Sequence, residues 1–534
     1  MKFVLKKLVF NSKEQKYLFL IMSSTANRVI KNAGYLYAKM GITMFISLYT
    51  TRLILNSLGA SDFGIFNIVG GAIAMLGFLN GAMASATQRF MSYSEGEGNK
   101  EKQKSIFNVS FLLHLGISFI VGIVLIIAGY FFFNGILNIP TERMFAAKVV
   151  YGSLIVSTMF TVMTVPYDAA MNAHENMKYY AIVGILESLL KLAVAFACVY
   201  TKQDKLIVYG ILMACVPLIT LTIMRVYCHK HYVECVIAPR RYWDKGLMKE
   251  MTSFAGWSFL GSASSIVGNY GNGLVLNHFW GTLLNAAQGV ANQLNGIMLV
   301  FSNNMLKALN PVITKTEGAG NRERMLEATT TGSKFSFYML AVFAIPAIAE
   351  MPYLLGLWLK NVPQWAVIFA QLQLVRTLVE QTTITLGTSL SAEGRIKRIN
   401  QVTSIINLLP ITLIYILFFY GYSPIYMYVV NISIFGIMLS ACKIYYMKTH
   451  CGMTYKYYIK NIFSPILSTL ILPCLGSYLI VYFMEEGFLR LILNSIICAT
   501  IYILTIFRWG ITEQERMILM QVINKIRTFY GFKC

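Results

Sequence analysis

The sequence predicts an all-α integral membrane protein with about fourteen transmembrane helices. Two parallel six-helix repeats surround a central cavity, and two extra helices follow at the C-terminus. Three observations carry this reading. The 534 residues are 56% apolar and only 13% charged, with a mean hydropathy of +0.59, whereas a soluble domain carries about 25% charged residues. The apolar residues come in continuous runs of about 20 residues, the length a helix needs to cross a bilayer core, and their failure to alternate excludes barrel strands. Finally, one loop sequence recurs: Glu95-Gly96-Glu97-Gly98-Asn99-Lys100-Glu101-Lys102 reappears as Glu317-Gly318-Ala319-Gly320-Asn321-Arg322-Glu323-Arg324, an offset of 222 residues.

The chain opens with a basic segment, 1–32, whose apolar stretch Tyr17–Met22 is too short for a signal-peptide core. Candidate spans follow at 33–56, 63–87, 107–131, 144–170, 178–200 and 205–227, forming an N-lobe over 33–250. A second set at 251–277, 283–307, 333–357, 365–391, 399–421 and 424–447 forms a C-lobe over 251–460. The remaining region, 461–534, supplies spans at 461–484 and 487–508 and a tail. Ala33-Gly34 recurs as Ala255-Gly256 at the same offset of 222. That offset covers an even number of spans, so the two copies point the same way and are related by an axis along the membrane normal.

The net charge of +22 does not imply a nucleic-acid partner. Of the 45 Lys and Arg residues, 35 fall in the terminal segments and loops on one side of the predicted membrane and five on the other. This is the positive-inside pattern, and it places both termini in the cytoplasm. Nine cysteines with no C-x-x-C pair do not form a disulfide framework. The group Cys228, His229, His231 and Cys235 fits no zinc spacing and reads as a connector. No nucleotide-binding or hydrolase motif is present, and no soluble stretch is long enough for a catalytic domain. The expectation is a non-enzyme without metal or cofactor.

Charged residues inside the spans are the candidates for function, because each costs roughly 2.5–3.5 kcal/mol at the helix centre if unpaired. The basic ones are Lys39, Arg52, Lys148, Lys191 and Arg376, taken as substrate-binding candidates. Asp168, Glu187 and Glu380 are the ion-coupling candidates. Glu187 and Lys191 share one helix face at i,i+4, as do Arg376 and Glu380. Each pair reads either as a structural ion pair or as polar lining of a cavity. Lys39 and Arg52 lie 13 residues apart on one helix, about 140° around its axis, so both cannot point squarely into one cavity; each can also snorkel to its nearer membrane face. Asp168 follows Pro166, and Glu350 sits between Pro346 and Pro352.

Several segments together suggest a family: Ser47-Leu48-Tyr49-Thr50-Thr51-Arg52 running into Leu58-Gly59-Ala60-Ser61-Asp62-Phe63-Gly64, then Ala86-Thr87-Gln88-Arg89-Phe90, Pro166-Tyr167-Asp168-Ala169-Ala170 and Ala173-His174-Glu175. Glu350-Met351-Pro352, Trp358-Leu359 and Gly394-Arg395-Ile396-Lys397 continue the series. With these the chain resembles the polysaccharide-transport (O-antigen and capsule lipid-linked oligosaccharide flippase) family of the multidrug/oligosaccharidyl-lipid/polysaccharide exporter superfamily. The resemblance implies an alternating-access flippase in the bacterial inner membrane, moving an undecaprenyl-diphosphate-linked oligosaccharide for surface polysaccharide such as lipopolysaccharide. It further implies a cationic lumen at Arg52 and Lys39, a lipid-linked glycan and membrane lipid as partners, H+ or Na+ as the candidate coupling ion, and a polysaccharide polymerase or glycosyltransferases as candidate protein partners. The alternatives are a cation-coupled multidrug exporter of the same superfamily, which favours an acidic cavity, and a membrane glycan polymerase or glycosyltransferase, which needs a larger external loop than any here.

Overall fold

The computed structural model describes residues 2–74, 78–136, 139–359, 361–513, 515–517 and 520, with side chains from residue 27 onward save at 60, 68, 71, 72, 74, 78, 79, 135 and 136. Lys360, Cys534 and most of the predicted tail lie outside the described residues. Every regular element described is helical. In chain order these are α1 (Lys2–Ala74), α2 (Phe78–Glu97), α3 (Lys100–Phe131), α4 (Met144–Ala173), α5 (Met177–Tyr200), α6 (Lys205–His231), the one-turn α7 (Pro239–Tyr242) and α8 (Lys245–Gly318). Next come α9 (Arg322–Ala349), α10 (Met351–Trp358), α11 (Ala366–Gln381), α12 (Ile384–Glu393), α13 (Ile396–Phe419), α14 (Ile425–Asn431), α15 (Leu439–Cys451), α16 (Tyr455–Tyr458), α17 (Ser464–Phe483) and α18 (Phe488–Thr505). Wider π-turns continue α3, join α14 to α15 and α16 to α17, and extend α18.

Nine helices among the described residues are long and apolar enough to cross a bilayer. The two longest elements are too long to cross once. At 1.5 Å per residue α1 would extend roughly 110 Å against a hydrocarbon core of about 30 Å. Each is divided at a glycine in the left-handed half of backbone space: Gly59 (φ 80°) in α1 and Gly281 (φ 75°) in α8. A side chain at such a φ is strained. These two glycines are themselves 222 residues apart.

The predicted repeat is visible atom by atom. Gly98 and Gly320 share φ 72°, and Asn99 and Asn321 cap the following helices by accepting from the backbone N–H of Lys102 (3.0 Å) and Arg324 (3.1 Å). Where the two copies meet, the contacts come in exchanged pairs. A Cβ on Gly96 would lie 2.0 Å from the Lys315 carbonyl oxygen, and a Cβ on Gly318 would lie 2.0 Å from that of Tyr93. Since 93 pairs with 315 and 96 with 318 under the same offset, this is the self-complementary contact of a two-fold interface. The apolar packing obeys the same exchange. Ala33 and Leu36 of α1 share a cluster with Ala308 and Val312 of α8, while Ala86 and Phe90 of α2 share one with Phe254 and Ala255 of α8.

Among the described residues, the hydrogen bonds and ion pairs that join the α1–α6 repeat to the α8–α15 repeat gather at the end carrying the loops around residues 98 and 320. Arg89 donates from Nε to the Ser391 carbonyl (3.1 Å) and from Nη2 to that of Ala392 (2.9 Å). Lys315 Nζ stands 3.6 Å from Glu95 and 3.8 Å from Glu175. One level deeper, Tyr37 donates to the Phe301 carbonyl (2.7 Å) and Asn304 to the Met40 sulfur (3.1 Å). Further along, α1 and α8 carry large exposed apolar side chains: Phe45 is 76% exposed on α1, Tyr270 75% and Leu274 73% on α8. The described polar contacts between the repeats therefore lie toward the loop end.

Further ion clusters fasten neighbouring helices. Away from the loop end Arg143 bridges Asp62 (2.5 Å) and Asp204 (2.6 Å), and its hydrogen bond holds the Asp204 carboxyl below the usual carboxylate range. The hairpin of α17 and α18 is fastened to α9 twice. Arg490 and Asn494 clamp the fully buried Glu350 at 2.9 and 3.0 Å, and buried Lys334 pairs with Glu515 at 2.8 Å. Glu350, between its two prolines, is therefore a partner in a structural ion pair.

Candidate functional site

The predicted candidates divide into three groups. Lys39, Asp168, Glu187 and Lys191 come together; Arg376 and Glu380 form a separate pair; Arg52 and Lys148 stand apart.

The first group is built on one face of α5. Tyr180, Gly184, Glu187 and Lys191 follow the 4-3-4 spacing that aligns side chains along a helix. Lys39 crosses from α1 over Gly184, where a Cβ would lie 2.2 Å from its Cε, and sets its ammonium 4.3 Å from the centroid of the Tyr180 ring. From the other repeat Lys307 of α8 reaches the same ring, its Nζ 3.5 Å from the centroid. Asp168 lies on α4 with Lys307, Lys39 and Glu187 as its charged neighbours, and its Oδ1 is buried with no hydrogen-bond donor among the described residues. Glu187 and Lys191 pair at 2.7 Å while both remain well exposed. The cluster lies at the level of the Tyr37–Phe301 and Met40–Asn304 contacts. Lys39 and Lys307 are half-buried, and two ammonium groups against one aromatic ring repel each other. An anion bound by both would relieve that repulsion and add charge-assisted hydrogen bonds.

Lys307 does not stand out in the sequence because it sits at the very end of the 283–307 span, next to the basic loop that follows. In the structure α8 continues to Gly318, so Lys307 lies inside the helix. The recurring loop held the signal: the glycines after residue 95 mark where α2 ends, and their copies after 317 mark the end of α8. Arg89 falls just past the predicted 63–87 span and lies inside α2.

The second repeat carries its own pair. Arg376 is 8% exposed, bonds Glu380 at 2.7 Å and Asn269 of α8 at 3.2 Å, and stacks 4.3 Å from the Phe435 centroid. Lys443 is a further charged neighbour of Glu380. Arg52 is exposed without an ion-pair partner among the described residues. Lys148 is exposed as well, 6.0 Å from the Phe133 ring centroid.

The profile of a family described as polysaccharide biosynthesis protein matches residues 29–317. No curated protein sequence matches the chain. Solved structures match its fold. A multidrug resistance MATE family transporter of the MOP superfamily, in an outward-facing conformation, has a TM-score of 0.67 and 14% identity, covering 80% of this chain and 96% of its own. A MATE in complex with MaD3S gives the same values. A MOP superfamily transporter from Pyrococcus furiosus, noted for reverse polarity of its binding pocket, has a TM-score of 0.65 and 14% identity over 80% and 96% of the two chains. The fold is that of membrane transporters.

Proposed function

The chain belongs to the polysaccharide biosynthesis protein family, and from that premise we propose that it is an alternating-access flippase for an undecaprenyl-diphosphate-linked oligosaccharide, working in a bacterial inner membrane. The observation that supports this most is the convergence of Lys39 and Lys307, one from each repeat, on the Tyr180 ring. A diphosphate there meets two cations that belong to different repeats, so its binding senses their separation, as a transported substrate must. The sugars would occupy the space above, and the prenyl tail would stay in lipid. In this reading the loop end is cytoplasmic, both termini lie on that side, the lobes are 33–250 and 251–460 with 461–534 appended, and the conformation faces outward. Lys191, Arg376, Arg52 and Lys148 add positive charge along the route. Asp168 and Glu187, beside the lysines, are the coupling candidates for H+ or Na+ in the first repeat, and Glu380 is the one in the second.

The test is the length distribution of surface polysaccharide in cells lacking the gene, complemented by wild type or by Lys39→Gln/Lys307→Gln. Loss of polymer in the deletion and in the double variant, with the protein present in the membrane, is expected; unchanged polymer in the deletion overturns the reading. The competing assignment, a cation-coupled multidrug exporter, draws on the buried Asp168 Oδ1, which has no hydrogen-bond donor among the described residues. Drug susceptibility after expression separates the two.

A further inference from the structure

A second cationic place lies away from the central cluster, at the loop end. There α2, the start of α8 and the α12–α13 connection line an open cavity of about 440 Å³, a volume in the range of small-ligand sites. Arg89, Lys249, Lys397, Phe90, Phe254 and Trp257 line it. Arg395 and Glu250 also face it, but Arg395 is held by Glu393, leaving three cations against one acid. Lys249 and Lys397 are exposed and have no ion-pair partner among the described residues. Lys397 stands 5.2 Å from the Trp257 ring centroid. The Arg89 guanidinium is held 4.6 Å from Phe90 and 5.3 Å from Phe254, with two of its N–H groups on the last carbonyls of α12. Gly394 (φ 101°) is shaped to this contact, since a Cβ there would lie 2.6 Å from Arg89 Nη2.

The position matters as much as the charge. Lys249 is in the second turn of α8 and Lys397 in the first turn of α13, where two spanning helices begin. The cavity therefore opens at headgroup depth, at the seam between the repeats. Two mobile ammonium groups beside a fixed guanidinium suit a phosphate, which takes several charge-assisted hydrogen bonds at once, and an indole is at home at a membrane interface.

We propose that this cavity is a separate binding site for a net-anionic, phosphate-bearing lipid headgroup, which it takes from the adjoining leaflet in preference to zwitterionic lipid; that the lipid is the transported diphosphate rests on the flippase reading above. Because the Arg89 guanidinium also holds α2 to the end of α12, a phosphate in the cavity competes with the Ser391 and Ala392 carbonyls for its N–H groups. Headgroup capture and release of the loop-end closure are thereby joined in one side chain.

The test uses the full chain in phosphatidylcholine nanodiscs, with Lys39→Gln/Lys307→Gln as background so that the central cluster does not contribute. Inorganic pyrophosphate is titrated by calorimetry in one arm, and a polyisoprenyl diphosphate added to the nanodisc is counted by native mass spectrometry in the other. Adding Lys249→Gln/Lys397→Gln is expected to weaken binding about tenfold or more, with Lys249→Arg/Lys397→Arg restoring it. Both lysines are exposed, so the thermal midpoint should not move. Binding in both arms supports recognition of the phosphate itself; binding of the lipid alone supports a site that also needs the tail. Binding that is indifferent to the two lysines, or absent from the background protein in both arms, overturns the proposal. The flippase reading stands or falls separately, on the surface polysaccharide.

Discussion

Single residues in this protein differ most in what surrounds their charge. Glu350 and Arg490 are both buried, so each depends on the other. Removing one partner of a buried pair leaves an uncompensated charge at a cost of about 3–5 kcal/mol, whereas replacing both by apolar groups is often neutral. Arg490→Ala is therefore expected to lower the thermal midpoint in detergent sharply, and Glu350→Leu/Arg490→Leu to recover much of the loss. A double variant no better than the single would refute this account of the pair. Glu187 and Lys191 are the opposite case. With side chains 38% and 43% exposed, such a pair contributes only about 0.3–0.5 kcal/mol, too little to matter for folding. Glu187→Gln and Lys191→Gln should leave the thermal midpoint unchanged while reducing polymer export. If the double variant exports better than either single, the pair is structural after all.

At the scale of helices, the closed end depends on backbone approaching backbone. Gly96 and Gly318 let α2 and α8 meet where any side chain would strike a carbonyl, and a carbonyl in a helix cannot swing aside. Gly96→Ala is expected to part the two helices at that end without unfolding them. Amide hydrogen exchange at 93–98 and 315–320 should then quicken, while Gly64→Ala, whose added methyl meets nothing within 4 Å, should leave exchange as in wild type. Exchange in Gly96→Ala as slow as in wild type would mean that the contact does not hold the end closed. The hairpin of α17 and α18 is a different kind of element: ion pairs of Arg490 with Glu350 and, just beyond α18, of Glu515 with Lys334 secure it to α9.

For the whole molecule, the sequence alone determined the all-helical membrane fold and the parallel repeat with its offset. Those are properties of composition and period, and hydrocarbon tolerates few ways to satisfy a backbone. The i,i+4 pairs were legible for the same reason, because their geometry is set within one helix. What only the tertiary structure decided is which charges meet: Lys39 with Lys307 across 268 positions, Glu350 with Arg490 across 140, and Arg89 with the end of α12. Neither spacing nor hydropathy encodes those meetings. They arise from how helices distant in sequence pack against each other, and the same packing left Arg52 and Lys148, equally plausible from sequence, outside the cluster.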